Sequence, residues 1–164
     1  PPPPPPPPPP PFFFNAKHAI PDAQESRGLG DVYKRQVSSF CSLSMNPPLI
    51  LICIDKKIPS HNSLENGSSF GVNICNSEQG KLAWDFANSN VDKNELILSL
   101  NHKVTENKVP LLTDCLASME CTIKEAYEGG DHTIFVGQIE QGNFNEESEP
   151  LIYYKSGLGN FKPN

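Results

Sequence analysis

Three groups of residues have the types and spacing to do chemistry. The first is the serine-rich stretch Val37-Ser38-Ser39-Phe40-Cys41-Ser42-Leu43-Ser44. Its hydroxyls and exposed backbone N–H groups could bind a polar ring edge or a phosphate. Serines of an ordinary strand and turn look the same. The second group is Asp55-Lys56-Lys57 followed by Ser60 and Ser63. A cationic turn running into a helix N-terminus suits a phosphate, because unpaired N–H groups and the helix dipole converge there. A solvated charge turn has the same composition. The third is Gly129-Gly130-Asp131-His132. A histidine at a strand entrance beside a glycine pair can act as acid, base or cofactor donor, or it can be structural. His61 and His102 have no matching carboxylate or cysteine pattern, so no metal site is assigned. The sequence contains no H-E-x-x-H, P-loop or G-x-G-x-x-G signature.

The elements that must position these residues read mostly as strands. Val37 to Ser44 alternates small polar with apolar residues. Asn46-Pro47-Pro48 punctuates the chain before Leu49-Ile50-Leu51-Ile52-Cys53-Ile54, a continuous apolar run of the kind found in buried strands. Ser60 to Asn66 suits one or two helical turns, with Ser60 as N-cap and Gly67 as the stop. Phe70 to Ile74 alternates as a strand. Ser77 to Asn88 is the strongest helix prediction, capped by Ser77, with Leu82, Ala83 and Phe86 on one face and Trp84 off it. Residues 89–109 are polar apart from Leu96-Ile97-Leu98 and read as a variable excursion or lid. Leu116 to Ala126, Thr133 to Glu140 and Pro150 to Tyr154 read as strands, the first two joined at Gly129-Gly130-Asp131. About six strands and two short helices, with Gly and Pro turns, predict a small antiparallel barrel. A doubly wound sheet would need a helix after nearly every strand.

Composition divides the chain near residue 36. Residues 1–36 hold 12 of the 18 prolines, 11 of them in the unbroken run Pro1 to Pro11. Polyproline forms an extended rod with no core. Asp31-Val32-Tyr33-Lys34-Arg35-Gln36 resembles translated sequencing-adapter sequence joined to a truncated frame. Residues 1–36 are therefore expected to be non-native and outside the fold, with a native N-terminus missing. Residues 37–164 carry 9 Lys+Arg against 16 Asp+Glu, a formal charge of −7. That balance argues against a nucleic-acid or anionic-membrane surface. No apolar run reaches 18 residues, so no transmembrane helix is expected, and no basic segment precedes an apolar one as in a secretory signal. Five cysteines at 41, 53, 75, 115 and 121 form no C-x-x-C. Free buried thiols, and hence a reducing cytoplasm, are the expected reading.

In order and combination the segments resemble the flavin reductase family. The matching residues are Val37 to Ser44, Pro47-Pro48-Leu49-Ile50, Phe70-Gly71-Val72-Asn73-Ile74 and Phe86-Ala87. They continue with Leu116-Ala117-Ser118-Met119-Glu120-Cys121, Gly129 to Gly137 and Pro150 to Tyr154. The resemblance implies a mainly β fold, a six-stranded antiparallel Greek-key split barrel with short flanking helices, over residues 37–164. Its first helix and strand would be missing. The resemblance also implies FMN or FAD as cofactor and NADH or NADPH as electron donor. A homodimer and a flavin-dependent monooxygenase partner are implied as well. Val37, Ser38, Ser39, Phe40, Ser42, Ser44, Asn73 and Phe86 would line the flavin. Asp55, Lys56, Lys57, Ser60 and Ser63 would hold its phosphate, and Asp131 and His132 would meet the nicotinamide nucleotide. A reductase that retains FMN, and a flavin-binding electron carrier or sensor without NAD(P)H turnover, are the alternatives.

Overall fold

The computed structural model describes residues 23–26, 35–37, 40–57, 59–88, 90–154 and 157–160. Its elements in chain order begin with strands β1 (Ala23–Ser26), β2 (Arg35–Val37), β3 (Phe40–Met45) and β4 (Pro48–Asp55). A 3-10 turn (Pro59–Ser63), β5 (Ser69–Ile74) and helices α1 (Gly80–Ala87) and α2 (Lys93–Leu98) follow. The remainder is β6 (His102–Val104), β7 (Pro110–Leu112), β8 (Ala117–Gly129), β9 (His132–Phe144), β10 (Leu151–Tyr154) and β11 (Gly157–Asn160).

Seven strands form one antiparallel sheet in the order β2-β1-β5-β8-β9-β4-β3. The strands at its two edges, β2 and β3, are separated in the chain by only two residues. A flat sheet of seven strands spaced about 5 Å apart would hold those edges far beyond the reach of such a link. The sheet must therefore curl on itself, and a barrel results. Two bulges in the β8–β9 ladder, at Glu120/Cys121 and Ile123/Glu125, supply local bends.

The core follows from side-chain alternation. In β4, Ile50, Ile52 and Ile54 point inward and are almost fully buried, while Leu49, Leu51 and Cys53 lie half-buried on the other face. Phe70, Val72 and Ile74 of β5 meet them, joined by Phe40, Cys121, Ile123 and Phe135. A smaller cluster of Cys75, Ala83 and Leu151 seats α1 against β10.

Several elements depart from the sequence reading. The sheet extends N-terminally of residue 37, since β1 pairs with β5 and β2 pairs with β1. Backbone ladder bonds make no demand on side-chain type, so composition did not reveal them. Helix α1 starts at Gly80, not Ser77, and its N-cap Gln79 makes no side-chain capping bond. Ser77 and Glu78 are held in a preceding turn, where the Ser77 N–H donates to Glu149 O and the Glu78 N–H to Asn76 Oδ1. The segment expected as helical turns over Ser60–Asn66 is the 3-10 turn Pro59–Ser63. Residues 90–109 are a packed unit instead of a variable excursion or lid. Asp92 caps α2 by accepting from the N–H groups of Asn94 and Glu95, and Ile97, Val109 and Leu112 are buried. The signal was legible as Asp92-x-x-Glu95, a capping-box spacing.

The β6–β7 hairpin is tied to the sheet by a buried polar set. Asn73 Oδ1 accepts from the Leu112 N–H at 2.8 Å. The Glu120 carboxylate, 1% exposed, accepts from Thr105 Oγ1, Asn107 Nδ2 and Gln141 Nε2. Such a group tolerates burial only while its donors stay in place.

Gly137 marks the tightest approach across the core. A Cβ there would lie 2.7 Å from Cζ of the buried Phe70 and 3.2 Å from Cβ of Cys121. Gly137→Ala is expected to lose about 1–3 kcal/mol by overpacking. Gly159→Ala, where a Cβ would meet nothing within 4 Å, should stay within about 0.5 kcal/mol. Urea unfolding midpoints check both.

Candidate functional site

The residues singled out from sequence divide between two places at opposite ends of β4. One is a cavity of about 420 Å³ at the barrel mouth. Phe40, Ser42 and Ser44 of β3 line it, with Met45, Pro48, Leu49 and Ile50 beside them. Ala117, Ser118 and Met119 of β8 and Gly142, Asn143 and Phe144 of β9 complete most of the wall. The β3–β4 register shift between Ser42 and Ser44 falls in this wall. Met45 and Phe144 stand exposed at the rim. The lining is largely apolar, with Ser42, Ser44, Ser118 and Asn143 as polar groups. That composition fits a flat fused ring with one polar edge.

The second place is charged. It gathers Asp55, Lys56, Lys57, His61, Glu128, Asp131 and His132 where β4 ends beside the β8–β9 turn, with Ser63 at the end of the 3-10 turn that carries His61. Asp55 lies directly opposite His132. From Leu49 to Asp55 the strand rises about 20 Å, so the two places are distinct. Pairing of Gly129 with His132 leaves a two-residue loop, Gly130-Asp131. Gly130 has φ +76°, the left-handed conformation that such a turn needs at its first loop position.

Hydrogen bonds hold several of these side chains. Asp55 Oδ1 accepts from the Lys57 N–H at 2.8 Å. The Lys57 side chain is exposed and makes no ion pair among the described residues. Ser63 is half-buried at the end of the 3-10 turn. His132 Nδ1 lies 2.7 Å from Asp131 Oδ1, which leaves Nε2 as its outward edge. The Lys56 ammonium donates to the Glu128 carboxylate and to Gly130 O.

Other expected residues lie elsewhere. Asn73 and Phe86, each 1% exposed, are packed into the structure, and neither lines the cavity. Val37 is placed as the last residue of β2, and Ser60 within the 3-10 turn, by backbone alone. Ser38 and Ser39 lie outside the described residues.

The sequence reading gave His61 no role beyond setting it aside as a metal ligand, and did not single out Glu128. His61 Nε2 is 2.7 Å from Thr133 Oγ1, and its ring centroid is 5.8 Å from that of Phe135. No local motif announces either residue, because both contacts span 72 positions.

Comparison with known proteins gives a consistent picture. The model of the flavin reductase like domain matches residues 22–162. The reductase component of a 4-nitrophenol 4-monooxygenase/4-nitrocatechol 2-monooxygenase from Rhodococcus opacus is 31% identical over 134 residues, 82% of this chain and 70% of that protein. An NADH-dependent FAD reductase from Streptomyces globisporus is 32% identical over 131 residues, 77% of this chain and 71% of that protein. Among solved structures, the NADH:FAD oxidoreductase of Streptomyces globisporus in complex with NAD and FAD fragments superposes with a TM-score of 0.81. It is 28% identical, with 91% of this chain and 89% of that chain covered.

The charged end has a defined pH response. The Lys56 ammonium holds the Glu128 carboxyl below its usual range, and His132 does the same to Asp131. A depressed folded-state value contributes stability above the unfolded value and loses it as pH falls through the folded one. Both carboxylates are largely exposed, so solvent screens the effect. The turn should therefore loosen below about pH 4 while the barrel persists. Amide exchange at Gly130–His132, corrected for intrinsic rates, should rise there ahead of exchange in β4.

Proposed function

This chain belongs to the flavin reductase like domain family, and on that premise we propose that it is an NAD(P)H:flavin oxidoreductase that reduces FMN or FAD. The observation that carries the reading is the family match over residues 22–162 coinciding with an apolar cavity beside the serine-bearing strand β3. The relative named as an NADH-dependent FAD reductase supports NADH as donor. The relative named as the reductase component of a 4-nitrophenol 4-monooxygenase/4-nitrocatechol 2-monooxygenase supports delivery of reduced flavin to a partner monooxygenase.

When bound, flavin supplies the acceptor for a hydride from the nicotinamide ring. The chain's own residues bind, orient and exclude water. Phe40, Leu49, Ile50 and Phe144 offer the apolar surface against which a flavin ring would rest. Ser42, Ser44 and Asn143 offer hydrogen-bonding groups to its polar edge. Lys57 and Ser63 would serve a phosphate at the charged end. His132 presents Nε2 outward on a two-residue turn and would position the nicotinamide nucleotide. No side chain is assigned as a base, because hydride transfer needs none.

A homodimer fits the pattern of β4. A continuous apolar run is what a strand covered on both faces carries, yet Leu49, Leu51 and Cys53 remain half-exposed in the single chain. The free thiols accord with a cytoplasmic setting.

Oxidation of NADH and NADPH, followed by absorbance with added FMN or FAD, tests the reading. Flavin-dependent turnover is expected. Flavin binding without oxidation of either nucleotide would favour the carrier or sensor alternative, and absence of flavin binding would remove the reading. His132→Ala should raise KM for the nucleotide more than it weakens flavin binding; the opposite pattern would remove the role given to His132.

A further inference from the structure

Lys56 looks like half of a cationic phosphate site in the sequence, but its donors are directed elsewhere. An ammonium has three N–H donors. Two of them go to the Glu128 carboxylate and to Gly130 O, the latter at 2.8 Å. The Lys56 backbone N–H donates to Asp131 O at 3.0 Å. One residue at the end of β4 thus grips the β8–β9 turn at positions 128, 130 and 131. His61 adds a fourth tie through Thr133 Oγ1, the hydroxyl of a residue only 6% exposed. Asp131 and His132 lie between these ties. We propose that Lys56, supported by His61, is a positioning residue that holds the His132 turn against the end of β4, and is not a ligand of the flavin phosphate.

The magnitude of the pairing bears on this. An isolated exposed ion pair holds little, and the Glu128 side chain is 82% exposed. The carboxylate alone would not fix the turn. The carbonyl of Gly130 and the backbone bond to Asp131 do more, because they act on a loop of two residues whose conformation is already narrow. Lys57, one position on, keeps its ammonium in solvent and remains for a phosphate.

The inference rests on the reductase reading only in supposing that the turn meets the nicotinamide nucleotide. The test compares the full-length chain with Lys56→Met, Lys56→Arg and Glu128→Gln. Readouts are the Kd for riboflavin, FMN and FAD, KM and kcat with NADH, and amide exchange at residues 130–132. A positioning role predicts about a fivefold rise in KM for Lys56→Met. The ratio of FMN to riboflavin affinity should stay unchanged, because riboflavin lacks only the phosphate. Exchange at 130–132 should quicken. Lys56→Arg should restore most of the loss, and adding Glu128→Gln to Lys56→Met should cost nothing further. A phosphate ligand would instead lose tenfold or more of the FMN preference over riboflavin with KM unmoved, which would overturn the proposal. No change in any readout would overturn it as well. If the unaltered chain oxidises no NADH, the reductase reading fails by itself, and exchange at 130–132 still decides. Faster exchange in Lys56→Met upholds the grip, and equal exchange refutes it.

Discussion

The ladder between β8 and β9 is the interaction on which the other elements depend. It runs from Ala117 opposite Phe144 to Gly129 opposite His132. β5 hangs on its β8 side and β4 on its β9 side. Fixing a residue's backbone costs about 1–2 kcal/mol, and paired neighbours on both sides offset that cost only where the register is unambiguous. Here register is set at the tip by a two-residue turn and in the middle by Gly137 lying against Phe70. The same ladder places both candidate regions. Its open end contributes Ala117–Met119 and Gly142–Phe144 to the cavity, and its closed end carries His132.

That arrangement separates two kinds of chemistry along a single hairpin. The mouth is apolar and sparsely polar, suited to a ring. The tip is charged, exposed and compact, suited to a nucleotide's polar part. β4 spans the distance between them with one face in the core, so neither end can shift without disturbing Ile50, Ile52 and Ile54. The ends are thereby held in a fixed relation by packing as well as by hydrogen bonds.

What could be read from sequence follows the range of the interactions. Alternation and the Leu49–Ile54 run gave strands, inward faces and the barrel, because side-chain periodicity reports burial directly. Gly129-Gly130-Asp131 gave the turn. Strand ends were underestimated, since β8 and β9 continue through polar, exposed residues that carry no burial alternation. Residues 89–109 read as a variable excursion or lid because their composition is polar, although Asp92-x-x-Glu95 carried a helix signal. Lys56 and Lys57 read alike as neighbouring cations. Only the fold distinguishes them, by bringing Glu128 and Gly130 to one and leaving the other in solvent. His61 with Thr133 and Glu120 with its three donors were illegible for the same reason, their partners being distant in sequence or buried under another hairpin.

The thiols bear on how such a protein would survive its own chemistry. Reduced flavin meeting dioxygen yields peroxide, and peroxide attacks thiolates far faster than thiols. Burial pushes the Cys115 thiol up to about 11 and raises Cys41 and Cys53 as well. At neutral pH roughly one Cys115 in ten thousand is ionised. Cys41 on β3 and Cys53 on β4 are half-buried, and neither lines the cavity. By disfavouring the thiolate, burial makes these cysteines chemically quieter, a form of self-protection written into the packing.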